Sequence, residues 1–136
     1  MRVVPLLFIF ALLTGCGGAA QTRDELKAVA TDHPMLATVG TYTANRRFED
    51  VAAMLERKWQ ECYNVRSTMT REQGGMTTMN VRNTFHPRTR KVSNSLIEMT
   101  LQMTTQGMVN LDKVPPGGAY QVALDVERLP GNKTRL

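Results

Sequence analysis

The sequence predicts an α+β fold in which one amphipathic helix packs on an antiparallel meander sheet of about four to six strands. Two observations carry this. First, Phe48, Val51, Ala52, Leu55, Trp59 and Cys62 recur at the spacing of a single helical face. Second, beyond Cys62 the apolar period shortens to that of strands and stays there, with glycine- and proline-rich turns between the alternating segments.

The elements follow in chain order. Thr38 to Ala44 is rich in threonine, valine and tyrosine and reads as a strand. Asn45 then offers a cap for the helix, and Glu49 and Asp50 sit in its first turn, where the helix dipole favours acids. Arg57 and Glu61 are spaced to pair on the outer face. Val65 to Arg71 is the next expected strand, and Gly74-Gly75 turns it. Met79, Val81 and Phe85 alternate in the strand after that, which His86-Pro87-Arg88 is expected to break. Ile97, Met99, Leu101 and Met103 alternate with Glu98, Thr100, Gln102 and Thr104. Pro115-Pro116-Gly117-Gly118 turns the chain into Tyr120, Val122, Leu124 and Val126, again alternating. Pro130-Gly131-Asn132 leads to a short last strand from Lys133 to Leu136. One apolar helix face and one apolar sheet face are solved economically by laying the first on the second, with Phe48 and Trp59 as the largest core residues. Cys62 is expected inside, as a small apolar residue.

The amino terminus obeys different chemistry. Arg2 precedes an unbroken apolar run from Val3 to Leu13. At 11 residues this run is short of the roughly 20 that span a bilayer, and it fits the core of a signal peptide. Leu13-Thr14-Gly15-Cys16 follows: an aliphatic residue, two small residues and a cysteine. These residues resemble the lipobox of bacterial lipoproteins. The resemblance implies a diacylglyceryl group on the Cys16 thiol and cleavage between Gly15 and Cys16. Gly17, where an aspartate would favour the inner membrane, implies the outer membrane, facing the periplasm. The alternative is a secretory peptide cut after Ala20, since Gly18-Ala19-Ala20 has the small residues that such a site needs.

The organisation expected is therefore a signal peptide over 1–15, a lipidated amino terminus and flexible tether over 16–34, and a single α+β domain over 35–136. Within the tether, Asp24 to Ala30 has the pattern for two helical turns, with Leu26, Val29 and Ala30 on one side. A flexible tether of about 18 residues spans roughly 20–25 Å as a random coil.

Charge and composition narrow the function. The full chain carries +5 and nine methionines. Basic balance suggests acidic neighbours. For an exported chain these are phospholipid head groups, glycolipid or cell-wall polymer rather than nucleic acid. With Cys16 lipidated, Cys62 has no partner, so the fold rests on its core and not on disulfides.

Candidate sites are few. No catalytic residues are assigned: His33 and His86 are the only histidines, and nucleophile, metalloprotease and phosphate-loop motifs do not occur. Methionine thioethers suit Cu(I), so Met76, Met79 and His86, near one turn, are the candidates for periplasmic copper handling. Met99 and Met103 share one strand face about 13 Å apart and read as core. Arg82, Arg88, Arg90 and Lys91 lie in a stretch without acids, a candidate contact for an anionic surface. The expected function is a membrane-anchored, non-catalytic binding or structural module without a cofactor, monomeric, holding an envelope protein or cell-wall or glycolipid material. Copper handling and a small envelope hydrolase are the alternatives. The short last strand leaves a sheet edge that a partner's strand could join.

Overall fold

The computed structural model describes residues 19–33, 35, 37–73, 77–107 and 114–136, with side chains described outside 71–79. Its elements are α1 (Arg23–Asp32), β1 (Thr43–Ala44), α2 (Phe48–Tyr63), β2 (Arg66–Gln73), β3 (Thr77–Ser93), β4 (Leu96–Gln106), β5 (Ala119–Leu129) and β6 (Lys133–Arg135). The strands form one six-stranded sheet in the order β1-β6-β5-β4-β3-β2. Every pairing is antiparallel, as an uninterrupted meander from β2 to β6 requires. The α+β class expected from the periodicity is what the chain forms.

The core lies between α2 and one sheet face. Phe48, Val51, Ala52 and Trp59 come from the helix, and Ile97, Met99, Leu101 and Val126 from β4 and β5. Met99 and Val126 are fully buried. Burying a large apolar side chain contributes about 1.5–3 kcal/mol, so Phe48 and Trp59 dominate the helix's attachment. Trp59 also satisfies its polar edge: Nε1 donates to the Thr100 carbonyl at 3.1 Å. At the other end of the sheet, Thr134 is fully buried. Its hydroxyl donates to the Arg46 carbonyl at 2.9 Å, tying β6 to the start of α2.

Five expectations need correction. The cap of α2 is Arg47 and not Asn45; its backbone is extended and its side chain bonds Asp50 at 3.1 Å in the first turn. The strand expected over Thr38 to Ala44 shrinks to Thr43–Ala44, prolonged by the mutual backbone bonds of Tyr42 and Leu136. Pro87 does not end its strand, because β3 runs on to Ser93. The reason is register. Phe85 donates its N–H to Val65 on the β2 side, so position 87 points the same way, beyond the first residue of β2. A proline there removes no ladder bond. Cys62 is exposed, not buried. The last turn of α2 reaches past the core, where the first residues of β2, Arg66 to Thr70, are all exposed, Met69 among them.

The fifth correction concerns the expected tether and the single helix. The helical turns expected over Asp24 to Ala30 do form, as α1 over 23–32, but this second helix is docked on the sheet and is not part of a free tether. Thr22 caps it, accepting from Glu25 N–H at 3.1 Å, and Asp24 and Glu25 occupy its first turn. No residue of α1 is buried. Charge holds it instead: Arg23 lies 3.5 Å from Glu98 and pairs with Asp125, which Lys27 also engages. Glu98 and Asp125 are cross-strand partners, and alternation puts them on the face opposite Ile97 and Val126. The two helices therefore cover opposite faces of the β4–β5 region. No helix among the described residues is long and apolar enough to cross a membrane.

Candidate functional site

The site is built around β5. This strand is 11 residues long, and β6, its neighbour, has three. Only Glu127, Arg128 and Leu129 are paired with β6. Arg128 donates its N–H to Ser95, toward β4. Backbone groups alternate sides along an antiparallel strand, so those of Asp125 and Ala123 point the other way, to the edge that β6 leaves uncovered. Among the described residues no strand pairs with that edge.

Chain geometry makes the edge a groove. β1 pairs with β6, and the chain before β1 continues past Leu136, two strand positions from β5 with the line of β6 between them. Residues 37–41 and 121–125 thus form two walls in line with β6, enclosing a groove of about 530 Å³. Leu26 and Ala30 of α1 lie along it, and Val39, Val122 and Leu124 add apolar surface. Val39 and Val122 are exposed. The charges at the groove are matched within the chain: Lys27 pairs with Asp125, and Arg135 with Glu127. What remains on offer is main-chain hydrogen bonding and apolar contact.

A second feature occupies the sheet face that α1 only partly covers. By register Arg66, Arg82, His86, Arg88 and Arg90 share that face with Glu98 and Asp125. Arg90 is committed, its Nε 3.0 Å from Glu98 Oε2. That bond, helped by Arg23 nearby and opposed by partial desolvation, holds the Glu98 carboxyl below its ordinary range. Arg66, Arg82 and Arg88 are exposed and have no ion pair among the described residues. Arg88 leans across β4 to the turn after it: a Cβ on Gly117 would meet its Nη2 at 3.1 Å. Gln102, buried beneath, donates to the carbonyls of Pro116 at 3.2 Å and Gly118 at 3.0 Å and fixes that turn.

The candidates from sequence fare differently. Of the basic stretch, Arg82, Arg88 and Arg90 do share a face, but Lys91 alternates to the other one. Arg66 joins the group through the β2–β3 register, which adjacency in sequence does not display. Of the methionine–histidine set, Met76 falls outside the described residues. Met79 pairs with Arg71, seven positions from His86 in the same strand. About 23 Å of extended chain separates the two, too far for one ion. His86 bonds instead to the Thr104 hydroxyl at 3.0 Å. Met99 is fully buried in the core, as expected, whereas Met103 is only half-buried and lies outside the core cluster. Cys16 and the rest of the lipobox lie outside the described residues. The groove itself was missed beyond a bare sheet edge; the shortness of β6 was legible, but the position of residues 37–41 was not.

No protein-family model, no curated protein and no solved structure matches the chain.

Proposed function

We propose that this chain is a lipid-anchored envelope lipoprotein whose domain is a non-catalytic binding module. Its site is the groove beside β5, and its ligand is an extended segment of a partner protein. The observation that carries the binding reading is the uncovered edge at Ala123 and Asp125 facing residues 37–41 across the line of β6. A strand added there gains main-chain hydrogen bonds on the β5 side, and its alternate side chains meet Leu26, Val39 and Val122. The lipobox resemblance at Leu13 to Cys16 supports the anchor, and Gly17 favours the outer membrane.

Two measurements on the chain extracted gently from its own membranes test this. Native mass spectrometry is expected to show acyl mass on Cys16 and a retained protein partner. A photo-crosslinker at Val39 or Val122 is expected to capture that partner, while one at Glu56, exposed on α2, is not. Ala123→Pro removes an edge N–H without removing a ladder bond, so it should abolish crosslinking at an unchanged melting temperature. Crosslinking that survives Ala123→Pro would sink the groove as the site. A native mass with residues beyond Leu136 would sink it too, because the chain's own extension would fill the groove. An unmodified Cys16 would sink the anchor alone.

A further inference from the structure

We infer that the face bearing Arg66, Arg82 and Arg88 rests on a bilayer of anionic phospholipid, which fixes the orientation of the domain on its membrane. The inference deepens the anchored-lipoprotein reading and rests on it for the position of the lipid.

Three observations meet here. The first is the charge itself. Arg66 stands opposite Thr84, with Arg82 two residues to one side in β3 and Arg88 four to the other, so the guanidiniums spread along about 20 Å of strand. Of the acids that the register places on this face, Glu98, Asp125 and Glu127 are already engaged by Arg90, Arg23, Lys27 and Arg135, and the Glu72 side chain lies outside the described ones. The three remaining arginines are therefore unopposed among the described residues.

The second observation is the company they keep. Their neighbours on that face are Thr68, Thr84, His86, Thr100 and Gln106, with no large apolar side chain among them. A face of arginine and threonine has little to insert into hydrocarbon, but it can hydrogen-bond phosphate oxygens at the head-group level.

The third is the route of the amino terminus. Arg23 is seated on this same face through Glu98 and Asp125. Cys16 lies seven positions before it, a reach of at most about 25 Å when fully extended. A lipid on Cys16 therefore holds this face toward the bilayer. The helix α2, on the other face, is held away from it. A freely coiled tether of residues 16–34 would have imposed no such direction.

The test uses full-length chain purified from its membranes, with the acyl mass on Cys16 checked first. Acylated protein is reconstituted into vesicles of phosphatidylcholine alone or with about 30 % phosphatidylglycerol added, which gives the surface a negative potential. A paramagnetic head-group label reads which amides approach the membrane. In anionic vesicles Arg66 to Thr70, Arg82 and Arg88 should be broadened and the outer face of α2 spared, and 0.5 M salt, at roughly a 4 Å Debye length, should remove the difference. The triple variant Arg66→Gln, Arg82→Gln, Arg88→Gln should lose the orientation. The control Arg46→Gln, Arg57→Gln, Lys133→Gln, equal in charge, should keep it. Equal broadening of both faces in anionic vesicles would overturn the inference, as would an orientation that the triple variant retains.

If Cys16 carries no acyl mass, the anchor reading fails separately. The unacylated chain's own sedimentation with the same vesicles then decides the arginine face. Salt-sensitive binding to anionic vesicles, weakened about a hundredfold in the triple variant, would support it. No binding, or binding to a soluble polyanion such as heparin but not to vesicles, would overturn it.

Discussion

Arg23 Nη1 lies 3.5 Å from Glu98 Oε1, and it is through this contact and the neighbouring Asp125 that α1 is joined to the sheet. The Arg23 side chain is only 13 % exposed, so its charge is largely removed from water and depends on those two carboxylates. A helix of ten residues is too short to persist alone. The helicity of α1 therefore depends on docking.

Arg23→Gln is expected to cost about 1–2 kcal/mol, less than a fully buried pair because Asp125 keeps some solvent and retains Lys27. The effect should be local. Hydrogen exchange at the amides of α1 should rise about five- to thirtyfold while that of β4 stays unchanged. Uniform acceleration across the sheet would show that α1 is part of the cooperative core.

Acid should release the same contact. The Glu98 carboxyl is held below its ordinary range, first by its hydrogen bond from Arg90 and further by the charge of Arg23. A depressed folded value means that the contribution to stability is complete above the unfolded glutamate value of about 4.3 and is lost as pH falls through the folded value. Exchange in α1 should be flat from pH 7 to about pH 5, once corrected for intrinsic rates, and rise on the acid side of about 4.3. In Glu98→Gln the acid rise should be smaller.

Trp59 serves two purposes, and two variants separate them. Trp59→Phe keeps most of the ring in the core but removes the donor to Thr100, for an expected loss of about 1–2 kcal/mol. Trp59→Ala also opens a cavity under α2 and should cost about 3–5 kcal/mol. Urea unfolding reads both. Equal losses would mean that the ring packs too loosely to matter.

Glycines at turns offer a graded comparison. Gly118 has φ +103°, and a Cβ there would meet the Met103 carbonyl oxygen at 2.3 Å. Gly131 has φ +75° with nothing within 4 Å. Gly131→Ala thus carries only the left-handed backbone cost, about 1–2 kcal/mol. Gly118→Ala must also displace backbone and should cost about 2–4 kcal/mol. Thermal unfolding of the two variants should rank them in that order.

The exposed thiol of Cys62 makes a simple check on how α2 ends. Maleimide labelling of folded protein should reach completion within minutes and without denaturant. Labelling that waits on global unfolding would place Cys62 back in the core.

Much of this protein was determined by its sequence alone. Helical spacing from Phe48 to Trp59 and strict alternation in β4 and β5 set the α+β class, because burial of one face is a local, periodic demand on the chain. Turn residues at Pro115 to Gly118 and Pro130 to Asn132 set the meander order for the same reason. The placement of Cys62 failed because periodicity shows which way a side chain faces, and not whether anything lies opposite. Pro87 failed likewise: a proline breaks a strand only where its N–H is needed, and that depends on where β2 begins. The rest was decided by tertiary structure. Docking of α1 depends on Arg23 meeting Glu98 and Asp125 from positions far along the chain. The groove depends on residues 37–41 running beside 121–125, and the arginine face on a register that brings Arg66 beside Thr84. These are non-local pairings, and no local pattern encodes them, because their energy is realised only once the sheet has closed.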